Sequence, residues 1–316
     1  MGTSAAPYQE PLTSRQPPGR RRRPPVWLWI VGPPLFGALV GLFLPLSLGG
    51  GSAAKEAPPW GRVSAMLGWA YFCAWSLSFY PQVVQNFRRR SVLGLSLDYQ
   101  LLNLAGFACY FAFNAALYWN PRVQQEYADQ HGGSTSAVRL NDVVFAGHAD
   151  LITAVTLLQI AAFYDYPPLE GTERIVRGCV LTFLFFLVAG SAGLAIAIAA
   201  TDEGISSWLG FFGALSEVKV LISVVKYCPQ VWMNYRRQST EGWNIANVLL
   251  DFTGGLLSVL QLLVDGWATS DWSAVTGDPA KFLLGNISML FDLIFMVQHY
   301  CLYSGGGGGR HSPEFG

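Results

Sequence analysis

Charge is scarce in this sequence. Only 13% of its 316 residues are charged, against about 25% in a typical soluble domain, and 20 Lys and Arg balance 20 Asp and Glu. The shortage excludes a freely soluble globular protein, and the zero net charge removes the attraction to phosphates on which nucleic-acid binders depend. With 52% apolar residues, the chain is expected to lie in a lipid bilayer and to have no nucleic-acid partner.

Paired cysteines and enzyme motifs are also missing. The five cysteines stand singly, without a CxxC pair, so neither a zinc site nor a disulfide framework is expected. The sequence contains no GxSxG, HExxH, P-loop or dinucleotide-binding fingerprint. We therefore expect no metal, no cofactor and no enzymatic activity.

Long apolar runs are abundant. A run of roughly 20 apolar residues is long enough to cross the hydrocarbon core of a membrane as a helix. Seven such spans are predicted, near residues 63–87, 95–118, 142–164, 176–200, 205–235, 244–266 and 281–303. The predicted fold class is an all-α polytopic membrane protein with seven transmembrane helices.

An eighth apolar run covers residues 26–48, directly after the four arginines at 20–23. Three prolines interrupt it and small residues follow at 49–54, as in a signal peptide or signal anchor. An additional helix of the bundle is the alternative interpretation. In both cases residues 1–61 form an N-terminal segment that precedes the other spans.

Loop cations predict the orientation, because Lys and Arg are retained on the cytoplasmic side of a membrane. Arginines follow spans one, three and five, at 88–90, at 174 and 177, and at 236 and 237. The loops between these are acidic or mixed in charge. The arginine-bearing loops are therefore expected in the cytosol, and the opposite loops in a lumen or outside the cell.

The sequence repeats itself at a spacing of 148 residues. Eleven of 26 positions are identical when residues 81–106 are laid on residues 229–254 without a gap. Such self-similarity indicates a duplication. A single span between the halves gives them the same orientation, which predicts two parallel three-helix bundles joined by a linker helix (3+1+3), as in the sugar transporters called SWEETs. The predicted parts are a first repeat at 62–164, a linker at 165–204, a second repeat at 205–303 and a cytosolic tail at 304–316.

Prolines lie at equivalent places near the cytoplasmic ends of the first helix of each half, at Pro81 and Pro229. A proline inside a span removes a backbone hydrogen bond and bends the helix. A static kink is one interpretation, but the duplication favours paired hinges that let the halves open alternately. Gln82 and Gln230 are candidates to bond the carbonyl groups that the prolines free.

Two lysines lie within span five. Charges inside a span are costly unless they are paired or hydrated, so each is a functional candidate. Lys219 and Lys226 lie two turns apart on nearly the same helix face, separated by roughly 10 Å. That spacing suits an elongated solute with a carboxylate at each end. The alternatives are that Lys226 snorkels to the membrane surface and that Lys219 pairs with a buried acid.

Asp251 in span six is a candidate for proton binding. The repeat places it on Asn103, so one half has an ionisable group where the other has a neutral amide. Burial favours the protonated form of a carboxyl group, which suits proton binding between an acidic lumen and a neutral cytosol. Asn103 and Asn247 are able to hydrogen-bond a solute.

Other polar groups in the spans are less specific. Asp292 lies about halfway along span seven, and Asp142 opens span three, where it is either functional or an N-cap. His148 is interpreted as a core histidine. Asp150 has no assigned role.

The sequence resembles the cystinosin family of PQ-loop proteins over about residues 62–303. The Pro-Gln dipeptides mark the broad superfamily, whereas LLDFTGG at 249–255 and STEGW at 239–243 are specific to cystinosins. Further matching strings are SFYPQ at 78–82, RRRSVLGLS at 88–96, NDV at 141–143, KYCPQ at 226–230, GDPAK at 277–281 and QHYCLY at 298–303.

The resemblance implies export of L-cystine from a lysosome or vacuole to the cytosol together with a proton, by a multi-pass protein of that membrane. The proton-carrying positions of the family fall on Asp251, Asp292 and Asp142. Its substrate-binding and other important positions fall on Lys219, Lys226, Asn103, Asn247, Tyr227, Trp75, Phe79, Asn234 and Lys281. The implied partners are L-cystine, protons, membrane lipid and cytosolic nutrient-sensing proteins.

Two other functions stay open. One is export of cationic amino acids by the same fold, although a solute with one carboxylate gives a second substrate-facing lysine no partner. The other is a membrane receptor or scaffold that signals nutrient state without solute flux. The tail lacks a Gly-Tyr sorting signal, so the lysosomal or vacuolar location follows from the resemblance alone.

Overall fold

A computed structural model describes residues 26–44, 59–130, 136, 138, 140–163, 171–200, 207–270 and 279–303, and all the regular elements in these ranges are helices. Side chains at 26, 29, 140, 141, 269 and 279–285 lie outside the description. The helices are α1 (Val26–Phe43), α2 (Trp60–Arg89), α3 (Leu97–Trp119), α4 (Pro121–Gln130), α5 (Leu140–Ala162), α6 (Gly171–Ala200), α7 (Trp208–Val225), α8 (Tyr227–Arg237), α9 (Ile245–Thr269) and α10 (Pro279–Val297), the last continued by a π-helical turn (Gln298–Leu302).

Helices lie over each of the predicted spans. Among the described residues, five helical segments are long and apolar enough to cross a membrane: Leu97–Trp119, Asp142–Ala162, Gly171–Ala200, Trp208–Arg237 and Ile245–Ala268. Two shorter apolar helices cover Ile30–Phe43 and Asn286–Leu302. The chain is therefore an all-helical, multi-pass membrane protein over the part described.

The two halves meet along two helix pairs. α2 of the first half packs against α9 of the second, and α3 of the first half packs against α7 of the second. The third helices lie outside these pairs, α5 against α3 and α10 against α9. The boundary between the halves is thus lined by the first two helices of each repeat, where most of the predicted site residues lie.

Gln82 joins its half to the opposite one. Its side-chain nitrogen donates to the backbone oxygen of Gly242 (2.9 Å), and its side-chain oxygen accepts from the backbone N–H of Asn244 (2.8 Å). It also donates to Asn86 one turn along α2 (2.8 Å). The expectation that it bonds a carbonyl freed by Pro81 is therefore wrong, because both amide hydrogens are already used.

Gln230 makes the equivalent contacts in the other direction. It donates to the backbone oxygen of Gly94 (3.0 Å) and to Asn234 (2.9 Å), and it accepts from the backbone N–H of Ser96 (2.7 Å). Each of these partners lies 148 residues along the chain from a partner of Gln82. The same set of three hydrogen bonds, which we call a clasp, therefore forms at Gln82 and again at Gln230. Gln230, too, bonds the opposite half rather than a carbonyl freed by its proline.

Each clasp continues into a third helix. Asn86 donates to Gln159 of α5 (3.0 Å), and Asn234 donates to Gln298 (3.0 Å). Gln159 and Gln298 in turn donate to equivalent backbone oxygens in the helices that carry the clasps. Gln159 and Gln298 are therefore structural equivalents, which fixes the register of the third helices.

Glycine is required where the clasps meet. Gly94 and Gly242 have φ of +98° and +100°, a conformation that side-chain-bearing residues rarely adopt. A Cβ on Gly94 would lie 2.0 Å from the backbone oxygen of Glu241, and one on Gly242 would lie 1.9 Å from that of Leu93. The two loops therefore touch backbone to backbone, at the end of the bundle that carries the arginines.

The first helix of the second half is interrupted and that of the first half is not. α2 continues through Pro81, whereas α7 ends at Val225 and α8 begins at Tyr227. Pro229 has no N–H to offer the carbonyl of Val225, but Pro81 also lacks one and α2 stays continuous, so the proline alone does not account for the interruption. Lys226 stands at the junction with helical dihedral angles, and its N–H still donates to the carbonyl of Ile222 (2.8 Å).

Helix α6, the predicted linker, is attached to the first half by an ion pair. Arg177 donates to both carboxylate oxygens of Asp98, which lies in the first turn of α3. Elsewhere α6 is mostly exposed and apolar, as expected for a helix that faces lipid. The ion pair therefore fixes one end of α6 relative to the repeat.

α1 packs closely against the first repeat. Cβ atoms placed on Gly37 and Gly41 would lie 2.1 and 2.5 Å from the backbone oxygens of Trp69 and Ala65 of α2, so the two backbones are in direct contact. Small residues four apart permit such close approach in membranes. Residues 26–43 are therefore a helix packed on α2, an arrangement that a signal anchor and an additional bundle helix share. Residues 45–48 of the predicted run, and those beyond 303, lie outside the description.

A candidate solute and proton site between the repeats

The side chain of Lys226 is buried between the halves. It is 6% exposed, and its ammonium group donates to the side-chain oxygen of Asn103 in the opposite half (2.8 Å). The amide nitrogen of Asn103 donates to Thr153 of α5 (3.2 Å), so the amide is held in one orientation. The ring of Tyr227 lies 4.7 Å from the ammonium group. The snorkelling alternative for Lys226 is therefore wrong.

Lys219 approaches the same place from nearly two helix turns before the end of α7. Its ammonium group donates to Ser223 (2.9 Å) and lies 4.4 Å from the centre of the Phe107 ring. The ammonium group of Lys226 lies 5.6 Å from that ring. The two cations therefore converge on one aromatic ring of α3. Among the described residues, Lys219 forms no ion pair with Asp150, Asp251 or Asp292.

Asp251 faces the two lysines from α9. Its carboxylate accepts from Ser288 of α10 (3.1 Å) and from the hydroxyl of Tyr227 (3.4 Å). These two hydroxyl groups also bond each other (2.9 Å). The charges of Lys226 and Lys219 act on Asp251, so the carboxylate belongs to the same electrostatic cluster as the cations.

Asp292 is the most enclosed carboxyl group of the cluster. It is 2% exposed, and its Oδ2 atom finds no hydrogen-bond partner among the residues that the structure describes. The charges of Asp251 and Lys226 act on it. A buried ionised carboxylate with an unpaired oxygen is costly, whereas a protonated one is much less so.

The duplicated register shows how the halves differ at this place. Asn103 and Asp251 are repeat mates, and the equivalence of Gln159 with Gln298 pairs Thr153 with Asp292. The first half therefore has a neutral, hydrogen-bonded amide and hydroxyl where the second half has two carboxyl groups. Sequence comparison found the first of these pairs, but the second required the hydrogen bonds of the third helices.

Aromatic rings line the boundary around the polar groups. Trp75 donates to the backbone oxygen of Asp251 (3.1 Å) and packs on Gly254, whose missing side chain leaves room for the indole. Phe79 contacts Phe107, with 5.8 Å between ring centres. Trp75 and Phe79 are therefore placed beside the cluster, as expected.

Four predicted residues lie elsewhere or are already engaged. Asn247 donates to the backbone oxygen of Ser78 across the boundary (2.9 Å), and Asn234 is part of the second clasp. Asp142 lies in the first turn of α5, eleven residues and roughly 16 Å along the helix from Thr153. The side chain of Lys281 lies outside the described residues.

His148 is hydrogen-bonded within the first half. Its Nε2 lies 2.9 Å from the Tyr80 hydroxyl, and the two rings stack with 5.7 Å between centres. The other ring nitrogen, Nδ1, is buried and has no hydrogen-bond partner among the described residues, so the expected core histidine is only partly satisfied. Asp150 is half-buried, and nothing in the structure explains its charge.

Sequence reasoning did not single out several residues of the cluster. Hydroxyl groups at Ser223, Ser288 and Thr153 and the ring of Phe107 contact the predicted groups. Ser288 stands four residues before Asp292 and Ser223 four residues after Lys219, which is the spacing of one helix face. That spacing was the available signal, but many serines and threonines in the spans share it.

Comparison with known proteins agrees with this architecture. The family model described as PQ loop repeat matches twice, at residues 63–123 and 207–271. These segments hold the first two helices of each half, the same helices that line the boundary.

Individual relatives extend the match beyond these segments. Cystinosin from Drosophila melanogaster is 45% identical over 79% of this chain and 59% of its own length, and Cystine transporter from Saccharomyces cerevisiae is 29% identical over 76% and 94%. The chain spans about three fifths of the length of the animal cystinosins that it matches. Cystinosin homolog from Arabidopsis thaliana is 41% identical over 75% of this chain and 85% of its own length. On the strength of these matches and of the duplicated bundle, the chain belongs to the cystinosin family of PQ-loop proteins.

Proposed function

We propose that the chain is a proton-coupled cystine carrier with seven transmembrane helices in the 3+1+3 arrangement. The observation that carries the proposal is the convergence of two ammonium groups on the Phe107 ring, beside the half-buried carboxyl group of Asp251 and the buried one of Asp292. Cystine has two carboxylates and two ammonium groups, so both kinds of charge find a counterpart. The printed name of the yeast relative, Cystine transporter, supports the same solute.

The lysines are assigned to the cystine carboxylates. Lys226 is already directed by its bond to Asn103, and Lys219 by its bond to Ser223. Both donors keep hydrogens for a further bond, because an ammonium group has three. A substrate carboxylate that replaces these neutral acceptors gains a charge-assisted bond.

The second half is assigned to the proton. The carboxylate of Asp251 accepts hydrogen bonds from two hydroxyl groups, whereas Asp292 has an unpaired oxygen. Burial of the negative charge is therefore more costly at Asp292, and a proton there removes the larger cost. The first half offers only Asn103 and Thr153 at the same positions and has no group to titrate there. Proton binding from an acidic lumen then permits the loaded carrier to rearrange with less buried charge.

Alternating access is the proposed cycle, in which the halves part at one end of the boundary at a time. The described contacts join them at both ends, through the Gly94 and Gly242 loops on the arginine-bearing side and through Gln261 and Ser64 on the other (2.8 Å). Opening at either end therefore breaks a different, identifiable set of bonds. We place the protein in the lysosomal or vacuolar membrane, where the lumen is acidic.

The test is flux of radiolabelled cystine into liposomes that contain the purified chain, with the acidic side outside. Wild-type chain is expected to accumulate cystine against its gradient and to lose this accumulation when the pH difference is collapsed. Asp251→Asn and Asp292→Asn are expected to abolish accumulation while exchange of labelled for unlabelled cystine continues, because an amide imitates the protonated acid. Glu217→Gln is the matched control, since Glu217 is an exposed carboxyl group of α7.

The alternatives give different results in the same vesicles. A cationic amino-acid exporter would show competition by arginine and not by cystine. A receptor or scaffold would show no flux with either solute. Undiminished pH-driven accumulation in both aspartate variants would overturn the assignment of the proton.

A further inference from the structure

An apolar groove lies on the outer surface of the second half, between α8 and α10. It encloses 640 Å³, within the range of roughly 300–1,000 Å³ typical of ligand pockets. Its walls are almost wholly apolar. The α8 wall consists of Cys228, Val231, Trp232 and Tyr235, and the α10 wall includes Phe291, Ile294 and Val297.

The groove is separate from the solute site. Phe291 forms part of its floor and stacks on Tyr227, with 5.0 Å between ring centres. Tyr227 on the inner side bonds Asp251. Several wall residues are open to the membrane, among them Trp232 at 40% and Tyr235 at 54% exposure. The groove therefore receives its occupant from the bilayer and not from the boundary between the halves.

An arginine lies one helix turn beyond the tryptophan of the α8 wall, outside the lining of the groove itself. The α8 wall residues follow the spacing of one helix face, and Arg236 continues that face one turn beyond Trp232. Arg236 is exposed and lies in the last turn of α8, at the end of the bundle where positive loops predict the cytosol. Tyr235 and Tyr303 stand at the same end, in the position that aromatic side chains take at a membrane interface.

The π-helical turn shapes the other wall. Regular α-helix ends at Val297, and the turn Gln298–Leu302 is wider, which carries Leu302 and Tyr303 to the mouth of the groove. Such turns are frequent at functional sites. Gln298 is the sole strongly polar wall residue, and it is occupied by its bonds to Asn234 and the backbone of Val231.

We infer that this groove binds an anionic phospholipid of the cytoplasmic leaflet, with an acyl chain between α8 and α10 and the phosphate at Arg236. An apolar slot that opens to the membrane suits a hydrocarbon chain, and a guanidinium group at its interfacial end suits a phosphate. A neutral zwitterionic lipid fills the slot but places a choline group beside the arginine. The inference is independent of the solute that the chain carries.

The test measures lipid association directly. Purified chain is reconstituted in phosphatidylcholine vesicles with spin-labelled phosphatidylglycerol or spin-labelled phosphatidylcholine, and electron spin resonance gives the motionally restricted fraction of each. Wild-type chain is expected to prefer phosphatidylglycerol. Arg236→Gln is expected to reduce that preference about fivefold, the effect of about 1 kcal/mol per basic residue.

The repeat supplies a matched control. Arg88 is the mate of Arg236, is equally exposed and lies in the last turn of α2. Arg88→Gln is expected to leave the preference unchanged. Leu293→Trp, which places an indole in the slot, is expected to release both lipids. Equal losses of the phosphatidylglycerol preference in Arg88→Gln and Arg236→Gln would show that the preference reflects general surface charge, and would overturn the site. An unchanged preference in Arg236→Gln would also overturn it.

Discussion

The ammonium group of Lys226 bonds the side-chain oxygen of Asn103, 2.8 Å away in the opposite half of the molecule. This bond crosses the boundary between the halves at Asn103, the position in the first half that is equivalent to Asp251 in the second. It uses a cation in the second half and a neutral acceptor in the first. A solute carboxylate can therefore replace Asn103 as the partner of Lys226. Because Asn103 is neutral, its displacement leaves no unpaired negative charge in the protein.

Lys226→Gln is expected to raise the KM for cystine by roughly 10- to 100-fold, because a hydrogen bond to a charged group contributes about 1.5–3 kcal/mol. The glutamine amide still reaches Asn103 in place of the ammonium group, so the thermal midpoint of unfolding is expected to change little. Initial rates of labelled cystine uptake over a concentration series give the KM. An unchanged KM would remove Lys226 from the substrate site.

Asp292→Asn is expected to stabilise the protein while it abolishes proton-driven uptake. The unpaired Oδ2 of Asp292 makes the ionised form costly in this conformation. That cost is absent at acidic pH, where the carboxyl group is protonated, and present at neutral pH. The gain in thermal midpoint over wild type is therefore expected to grow as pH rises. A gain in thermal midpoint that is independent of pH would contradict the reasoning.

Gly94→Ala and Gly242→Ala are each expected to destabilise the fold by roughly 1–3 kcal/mol, the cost of a non-glycine residue in an unfavourable backbone conformation. The overlap with the facing carbonyl oxygen adds to that cost. Gly190→Ala is the control, because a Cβ at Gly190 on α6 would have no atom within 4 Å. Unfolding of the purified variants in detergent provides the comparison, and an effect no larger than that of Gly190→Ala would show that the loops can separate freely.

Gln82→Leu and Gln230→Leu are each expected to cost roughly 1–3 kcal/mol, since each leaves a backbone N–H of the opposite half unpaired. Gln230→Leu also removes the side-chain donor to the oxygen of Gly94, whereas the oxygen of Gly242 keeps its bond from Gln85 (3.0 Å), so the larger cost is expected for Gln230→Leu. A measurable cost at both positions is the informative part, because only a duplicated clasp predicts it. Gln125→Leu on the exposed surface of α4 serves as control and should lie within about 0.5 kcal/mol of wild type. A cost no larger than that of Gln125→Leu at either position would mean that one half holds the clasp alone.

The apolar runs and the repeat predicted where the helices lie, since both are local properties of the sequence. The α3 helix at Leu97–Trp119 differs by only one or two residues from the predicted span at 95–118. The same offset of 148 residues predicted that Asn103 and Asp251 occupy equivalent places. Helix positions and repeat register need no knowledge of how the halves approach each other.

The partners of Gln82 and Gln230 could not be predicted in the same way. Their bonds reach backbone atoms about 160 and 136 residues away in the chain, and nothing local distinguishes those atoms from others. Pro229 indicated a bend near Lys226, but Pro81 in the equivalent position does not interrupt α2. The proline alone therefore did not predict which helix is interrupted. The helix α4 at Pro121–Gln130 was also not expected, although Asn120 and Pro121 are typical of a helix start.

The ion pair between Asp98 and Arg177 tests how α6 is attached. Both side chains are largely buried, at 11% and 19% exposure, and removal of one partner from a buried pair typically costs about 3–5 kcal/mol. Asp98→Asn is expected to cost more than Arg177→Gln, because Asp98 also lies in the first turn of α3, where a negative charge is favoured by the helix dipole.

Exchange of the two charges between positions 98 and 177 separates the effect of ion pairing on stability from the effect of the helix dipole. Asp98→Arg with Arg177→Asp is expected to be more stable than either exchange alone, yet less stable than wild type, because the new arginine lies at a helix N-terminus. Unfolding midpoints of the four proteins give the coupling energy by a double-mutant cycle. Additive single effects would show that the two side chains are neighbours without being partners, and the attachment of α6 would then rest on its apolar contacts with Leu102 and Ile222.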